Sequence, residues 1–133
     1  MFRYLFARKA RPLEGAPSIR RLKTYSSQTG YVYQYYFEGK RPGEHTSDIE
    51  FIFTASADRK SWRQVAVLVS GAALRGWETQ HERELSATER YAIAKLALFR
   101  EFDRQAVPDA LFRGGIEVTA ADAAAILETL GLD

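Results

Sequence analysis

Three consecutive segments in the first half of the chain alternate between apolar and polar positions. They are residues 31–38, with the sequence YVYQYYFE, residues 48–56 and residues 62–69. In each segment the odd-numbered positions are the more apolar, which is the period of two expected of β-strands with one buried face. Polar connections at 39–47 and 58–60 separate the segments, so we predict a three-stranded antiparallel meander.

The pattern changes to a helical period after Gly71. Ala73, Leu74 and Trp77 share one face of a short helix that should end before Leu85. The apolar positions of residues 87–105 then cover more than one side of a helix, which is typical of a buried element. We therefore predict a short helix followed by a long buried helix.

Local signals mark the ends of two helices. Ser86 stands three residues before Glu89, and this spacing is that of a capping box at the start of the long helix. Thr119 with Asp122 offers a second N-cap, and Gly131 offers a C-cap, so we predict a C-terminal helix between them.

Strands grouped before helices are typical of an α+β domain rather than a parallel βαβ fold. We expect a basic, irregular N-terminal arm over residues 1–18, because Pro12, Gly15 and Pro17 interrupt any helix there. Residues 19–133 should form a single α+β domain. A chain of 133 residues can bury a core of its own, and this one contains no cysteine for disulfides.

The charge of the chain is unevenly distributed. Residues 1–23 carry seven basic residues and Glu14, whereas the remainder carries twelve basic and sixteen acidic residues. The first region is therefore +6 and the rest is −4. Three interpretations stay open: the basic region docks on the acidic body, binds nucleic acid or an anionic membrane, or is a targeting segment.

The composition of the chain limits the kinds of metal site and catalytic group that it can contain. Without cysteine there is no thiolate metal site or cysteine nucleophile. Glu78 and His81 have the spacing of a helical metal-ligand pair, but a dinuclear site needs a second such motif, so we interpret both as part of a solvated helix face. We expect no metal, no cofactor and no catalytic residues, since neither a nucleophile elbow nor a phosphate-binding glycine loop occurs.

No apolar run reaches the about 18 residues of a membrane helix, so we expect no membrane span. No secretory signal is recognisable, which makes a soluble protein in the cytoplasm the expectation.

The segment TGYVYQYY partly resembles the aromatic strand of RNA-recognition motifs, with Gly30, Tyr31, Tyr33 and Tyr36 at matching positions. This resemblance implies single-stranded nucleic-acid binding by base stacking on sheet aromatics. In that alternative the contacts come from the following residues: Arg8, Lys9, Arg11, Arg20, Arg21, Lys23, Tyr31 and Tyr33. The segment departs from the family at Thr29, Val32 and Gln34, and the order of elements is not βαββαβ.

The even-numbered face of the meander is more apolar than full solvation requires. Its candidate interaction residues are Val32, Tyr36, Ile52 and Leu68. We predict a non-catalytic interaction or assembly module that uses this face, with a homodimer or a protein partner. A small-ligand binding protein, or an enzyme with a site at a subunit interface, is the other alternative.

Overall fold

The computed structural model describes residues 12–45, 47–105, 108 and 115–132. The elements of the described residues are β1 (Lys23–Ser26), β2 (Val32–Pro42), β3 (Ile49–Ser56), β4 (Arg63–Val69), α1 (Gly71–His81), α2 (Ala87–Arg104), β5 (Ile116–Val118) and α3 (Ala120–Leu130). The strands form one sheet in the order β1-β2-β3-β4-β5. Pairing is antiparallel from β1 to β4 and parallel between β4 and β5. The α+β class is confirmed.

The predicted three-stranded meander is present as β2, β3 and β4, but the sheet has two further strands. β1 contains four residues and β5 only three, and segments of this length are too short to display a period of two. The predicted connection at 39–47 is also wrong in part, because β2 continues through Pro42. The sheet is therefore mixed and five-stranded.

The odd-numbered positions of the meander form the core, on the side of the sheet that we call the inner face. Phe51 and Phe53 of β3 lie opposite Val67 and Val65 of β4, and all four side chains are buried beneath the helices. On β2, the ring of Tyr33 stacks on Phe102 of α2 with centroids 4.0 Å apart. The odd-numbered aromatic residues of β2 thus pack against α2.

The two predicted capping boxes are both formed. At the start of α2, Ser86 Oγ accepts a hydrogen bond from the Glu89 amide, and the Glu89 side chain accepts one from the Ser86 amide. Thr119 and Asp122 make the equivalent pair of hydrogen bonds at α3. Gly131 ends α3 with φ of 75°, the left-handed conformation that favours glycine.

Helix α1 is capped from a distance. Ser70 makes no side-chain hydrogen bond to the helix, and the Gly71 amide instead donates to a carboxylate oxygen of Asp48 at 3.1 Å. A Cβ at Gly71 would lie 2.4 Å from the Cβ of Ser47. Glycine at this position therefore allows the loop before β3 to approach the helix N-terminus.

A bulge divides β2 into two parts. Phe37 pairs with Phe53 and Gly39 with Ile52, so Glu38 is an extra residue without a partner in the ladder. Beyond the bulge the even-numbered residues of β2, instead of the odd-numbered ones, pair with the odd-numbered residues of β3, so Lys40 lies opposite Phe51. The bulge aims the Glu38 side chain at Thr54, whose hydroxyl donates to it on the face opposite the core.

We predict that Phe53→Ala lowers the free energy of unfolding by about 3–5 kcal/mol, the usual cost of truncating a buried phenylalanine. Phe99→Ala should cost less, because Phe99 is only half-buried whereas Phe53 is 0% exposed. Urea unfolding followed by circular dichroism measures both. Ile19→Ala, at a position 65% exposed and outside the strands and helices, is the control and should stay within about 0.5 kcal/mol of wild type. Equal losses for the two phenylalanines would contradict this packing.

A second prediction concerns pH. Hydrogen bonds from Arg83 and from the Ser86 amide lower the pKa of Glu89 to about 2. The ionised carboxylate therefore stabilises the fold above its ordinary pKa of 4.5, and this contribution is lost as pH falls from 4.5 towards 2. Glu89→Gln should remove this part of the pH dependence. Arg83→Gln should narrow the pH window, and acid titrations of all three proteins that superimpose would refute the assignment.

Candidate functional site

Residues 12–22, which we call the edge segment, run along the free side of β2 beyond the start of β1. The Glu14 amide donates to the Lys40 carbonyl at 2.7 Å, and the Lys40 amide donates to the Glu14 carbonyl at 2.8 Å. Between this bridge and the Lys23–Tyr35 pair, the edge segment has eight residues where β2 has four. The edge segment therefore leaves the sheet between its two attachment points.

Gly39 makes the first attachment possible. Its φ of +130° lies in the region that L side chains rarely adopt, and a Cβ there would lie 2.9 Å from the Glu14 carbonyl oxygen and 3.1 Å from the Cβ of Leu13. The bulge at Glu38 and the glycine that follows it thus allow the edge segment to attach to β2 at the Glu14–Lys40 bridge.

Arg20 makes the second fixed contact of the edge segment, on the face of the sheet opposite the core, which we call the outer face. Its guanidinium lies 3.8 Å from the centroid of the Tyr36 ring and donates two hydrogen bonds to the carboxylate of Glu38. The Thr54 hydroxyl donates to the same carboxylate. The hydrogen bond from Arg20 is the main cause that lowers the pKa of Glu38. For Arg20, docking on the body of the domain is therefore the interpretation that the structure supports.

The outer patch consists of Val32, Tyr36, Trp62 and Leu68. Val32 is 48% and Trp62 37% exposed, whereas Tyr36 and Leu68 are half-buried. The rings of Tyr36 and Trp62 have centroids 5.6 Å apart. Ile52, the fourth residue of the predicted interaction face, is only 1% exposed, so it lies beneath the surface rather than on it.

The turn between β3 and β4 places Trp62. The carboxylate of Asp58 accepts hydrogen bonds from the amides of Lys60 and Ser61, each at 2.8 Å. Arg59 takes a left-handed φ of 66°, and its carbonyl accepts a hydrogen bond from the Trp62 indole. The tryptophan is thus fixed by a network of local hydrogen bonds although its ring is accessible.

An aromatic pocket lies on the other side of the edge segment, at the margin of the inner face. Its volume is about 300 Å³, and its lining is mainly apolar, formed by Pro17, Arg21, Lys23, Tyr35, Phe37 and Tyr91. Two consecutive residues of the edge segment therefore lie on opposite sides of the sheet: Arg20 contacts Tyr36 on the outer face, and Arg21 lines the pocket.

Burial governs the ionisation of the groups at this pocket. It raises the pKa of Tyr35 to about 12, with a further contribution from Tyr91, and it also raises the pKa of Tyr91. Burial, and secondarily the charge of Lys23, lowers the pKa of Lys95. Both phenols therefore stay protonated at neutral pH and add no negative charge to the pocket.

The Glu78 and His81 side chains have structural partners, and our interpretation of both as solvated is wrong. Glu78 is half-buried, forms an ion pair with Arg90 at 2.9 Å, and accepts a hydrogen bond from the Leu85 amide. The His81 ring stacks on Trp77 with centroids 4.0 Å apart. Glu78 thus links α1 to α2.

Among the described residues of the nucleic-acid alternative, the side chains do not form one common surface. Arg8, Lys9 and Arg11 lie outside the described residues. Tyr33 is 0% exposed and stacked on Phe102, so no base can reach its ring, whereas Tyr31 is 37% exposed. The remaining cations divide between two sides of the sheet, with Arg20 on the outer face and Arg21 and Lys23 at the pocket.

Sequence reasoning missed Trp62 and the pocket. The predicted strand 62–69 begins with Trp62, whose even number gives it the parity of Tyr36, yet the predicted interaction face does not include it. The pocket had no comparable signal, because it depends on how the edge segment leaves the sheet. Neither the bulge at Glu38 nor the Glu14–Lys40 bridge is visible in the periodicity.

We predict that Gly39→Ala loosens the edge segment. The strained backbone and the contact with the Glu14 carbonyl should accelerate hydrogen exchange of the Glu14 and Lys40 amides about tenfold, since such strain costs about 1–3 kcal/mol. Gly76→Ala is the matched control, because a Cβ at this helical glycine meets none of the described atoms within 4 Å. The control should stabilise α1 slightly and leave both amides unchanged. If hydrogen exchange of the Glu14 and Lys40 amides is unchanged in Gly39→Ala, Gly39 is not required for the attachment of the edge segment.

Within the part of the chain that the structure describes, no group of three or more histidine, aspartate or glutamate side chains could hold a metal ion. Among the same residues, every helix is too short or too polar to cross a membrane. Comparison of the chain with protein-family models, curated proteins and solved structures finds no match.

Proposed function

We propose that this protein is a non-catalytic assembly module that pairs with a second copy of itself through the outer patch. The observation that carries the proposal is the contact between Arg20, Tyr36 and Trp62 on the outer face of the sheet, opposite the face on which α2 packs. The guanidinium of Arg20 stacks on Tyr36, which contacts Trp62, and Trp62 and Val32 expose much of their side chains.

The residue types of this cluster favour a protein interface. Tryptophan, tyrosine and arginine are the residues most enriched among those that dominate binding energy, and aromatic rings bury large areas with few rotatable bonds. Val32 lies on the same face of β2 four positions before Tyr36, and Leu68 lies on the same face of β4, opposite Glu50. A surface of this composition gains more from contact with protein than from solvation.

The cluster is also ordered before binding. Glu38 and Thr54 hold Arg20 in place, and the Arg59 carbonyl holds the indole of Trp62. Side chains that are already fixed lose less conformational entropy when a partner docks. This preorganisation supports a role in recognition rather than an incidental exposure of apolar groups.

A second copy is a suitable occupant because two pairs of opposite charges on the outer face are compensated within each chain. Arg20 pairs with Glu38, and Arg41 pairs with Glu50 at 2.7 Å. Two identical surfaces can therefore meet about a twofold axis without repulsion between these four groups.

The engagement of polar groups in the fold supports a non-catalytic role. Asp48 caps α1, Glu78 pairs with Arg90, and Asp103 accepts hydrogen bonds from the Tyr25 hydroxyl and the Gln28 amide. Each of these carboxylates stabilises a connection between elements. The cytoplasmic location stays a prediction.

The test is sedimentation velocity of the double variant Val32→Glu, Trp62→Glu. Wild type should sediment as a dimer, and the variant should raise the dimer dissociation constant at least about 100-fold, because two charges per chain would enter a desolvated surface. Both positions are exposed in the monomer, so circular dichroism should be unchanged.

The matched control is Ala124→Glu, Thr129→Glu, which adds the same charge on the exposed side of α3. It should dimerise as wild type does. A wild-type protein that stays monomeric throughout a concentration series, or a Val32 and Trp62 variant that dimerises normally, would refute the proposal.

A further inference from the structure

We propose that the aromatic pocket is a binding site for a small organic anion with a flat apolar body and one carboxylate. The aromatic walls of the pocket favour the apolar body of such a molecule, and the cations of the pocket favour its carboxylate. This site lies on the opposite side of the edge segment from the outer patch and does not depend on self-association.

The walls suit a flat apolar body. Phe37 of β2 and Tyr91 of α2 provide two half-buried rings with centroids 4.8 Å apart, and Tyr35 of β2 also lines the pocket but is only 3% exposed. Rings arranged in this way accept a further aromatic group by stacking or edge contact. The volume of about 300 Å³ is at the lower end for small-molecule sites, which matches a ligand of one or two rings.

The charges suit a carboxylate. Arg21 and Lys23 line the pocket, and Lys95 lies one helical turn after Tyr91, near enough to Lys23 for their charges to interact. None of these three cations forms an ion pair with a carboxylate of the described residues. The nearest acidic side chain along β2, that of Glu38, is engaged by Arg20 and Thr54 on the outer face.

The combination distinguishes this pocket from a gap in packing. Lys95, whose ammonium lies 5.8 Å from the Phe99 ring centroid, is repelled by Lys23, since burial first and the charge of Lys23 second lower the pKa of Lys95. A bound carboxylate would relieve that repulsion and accept charge-assisted hydrogen bonds. A neutral ligand of the same shape would gain only the contact with the rings.

Isothermal titration calorimetry of the full chain at low salt tests the proposal with 1-naphthoate and its neutral analogue 1-naphthalenemethanol. We expect 1-naphthoate to bind with one molecule per chain and more tightly than the alcohol. In Arg21→Gln, Lys23→Gln, affinity for the acid should fall about tenfold, because two charged donors are lost, whereas affinity for the alcohol should not change.

The matched control is Lys60→Gln, Arg75→Gln, which removes the same net charge at exposed positions away from the pocket. It should bind 1-naphthoate as wild type does. Absence of acid binding at millimolar concentration, equal binding of acid and alcohol, or the same loss in both double variants would overturn the proposal.

Discussion

The packing of one row of β2 aromatics against α2 is the interaction on which the rest of the structure depends. Tyr33 stacks on Phe102, Tyr35 meets Phe99 at an edge, and Phe37 meets Tyr91 in the same way. Because side chains alternate along a strand, burial of this row commits Tyr36 to the opposite face. The row also ends at the bulge, where Glu38 and Gly39 receive the edge segment. Both proposed binding surfaces therefore follow from the way β2 is packed.

Much of the fold could be predicted because its signals are local. The parity of three strands, the capping boxes at Ser86 and Thr119, and the terminating Gly131 each depend on residues within a few positions of one another. The strands β1 and β5 could not be predicted in this way. β5 is stabilised by pairing with β4, which is distant in the sequence, and β1 forms a hairpin with β2 but has only four residues, so neither is long enough to develop a period of its own.

The candidate site could be predicted only in part, for the same reason. Parity placed Val32, Tyr36 and Leu68 on the outer face, and it also placed Ile52 there. The difference is in the neighbours: Ile52 lies between Gly39 and Ala66 in the ladder, and Leu13 of the edge segment approaches Gly39. Face and exposure are thus separate properties, since alternation determines the first and distant chain segments determine the second.

The edge segment connects the two proposed surfaces, because adjacent residues serve different sides. Arg20 is part of the outer cluster, and Arg21 lines the pocket. An anion that holds Arg21 would restrict the same short stretch of backbone that carries Arg20, and a partner docked on Tyr36 would restrict it from the other side. Any such coupling is reciprocal, so a ligand that strengthens dimerisation must bind the dimer more tightly by the same factor. A large factor would mean that restricting the backbone between Glu14 and Lys23 on one face of the sheet also restricts it on the other face.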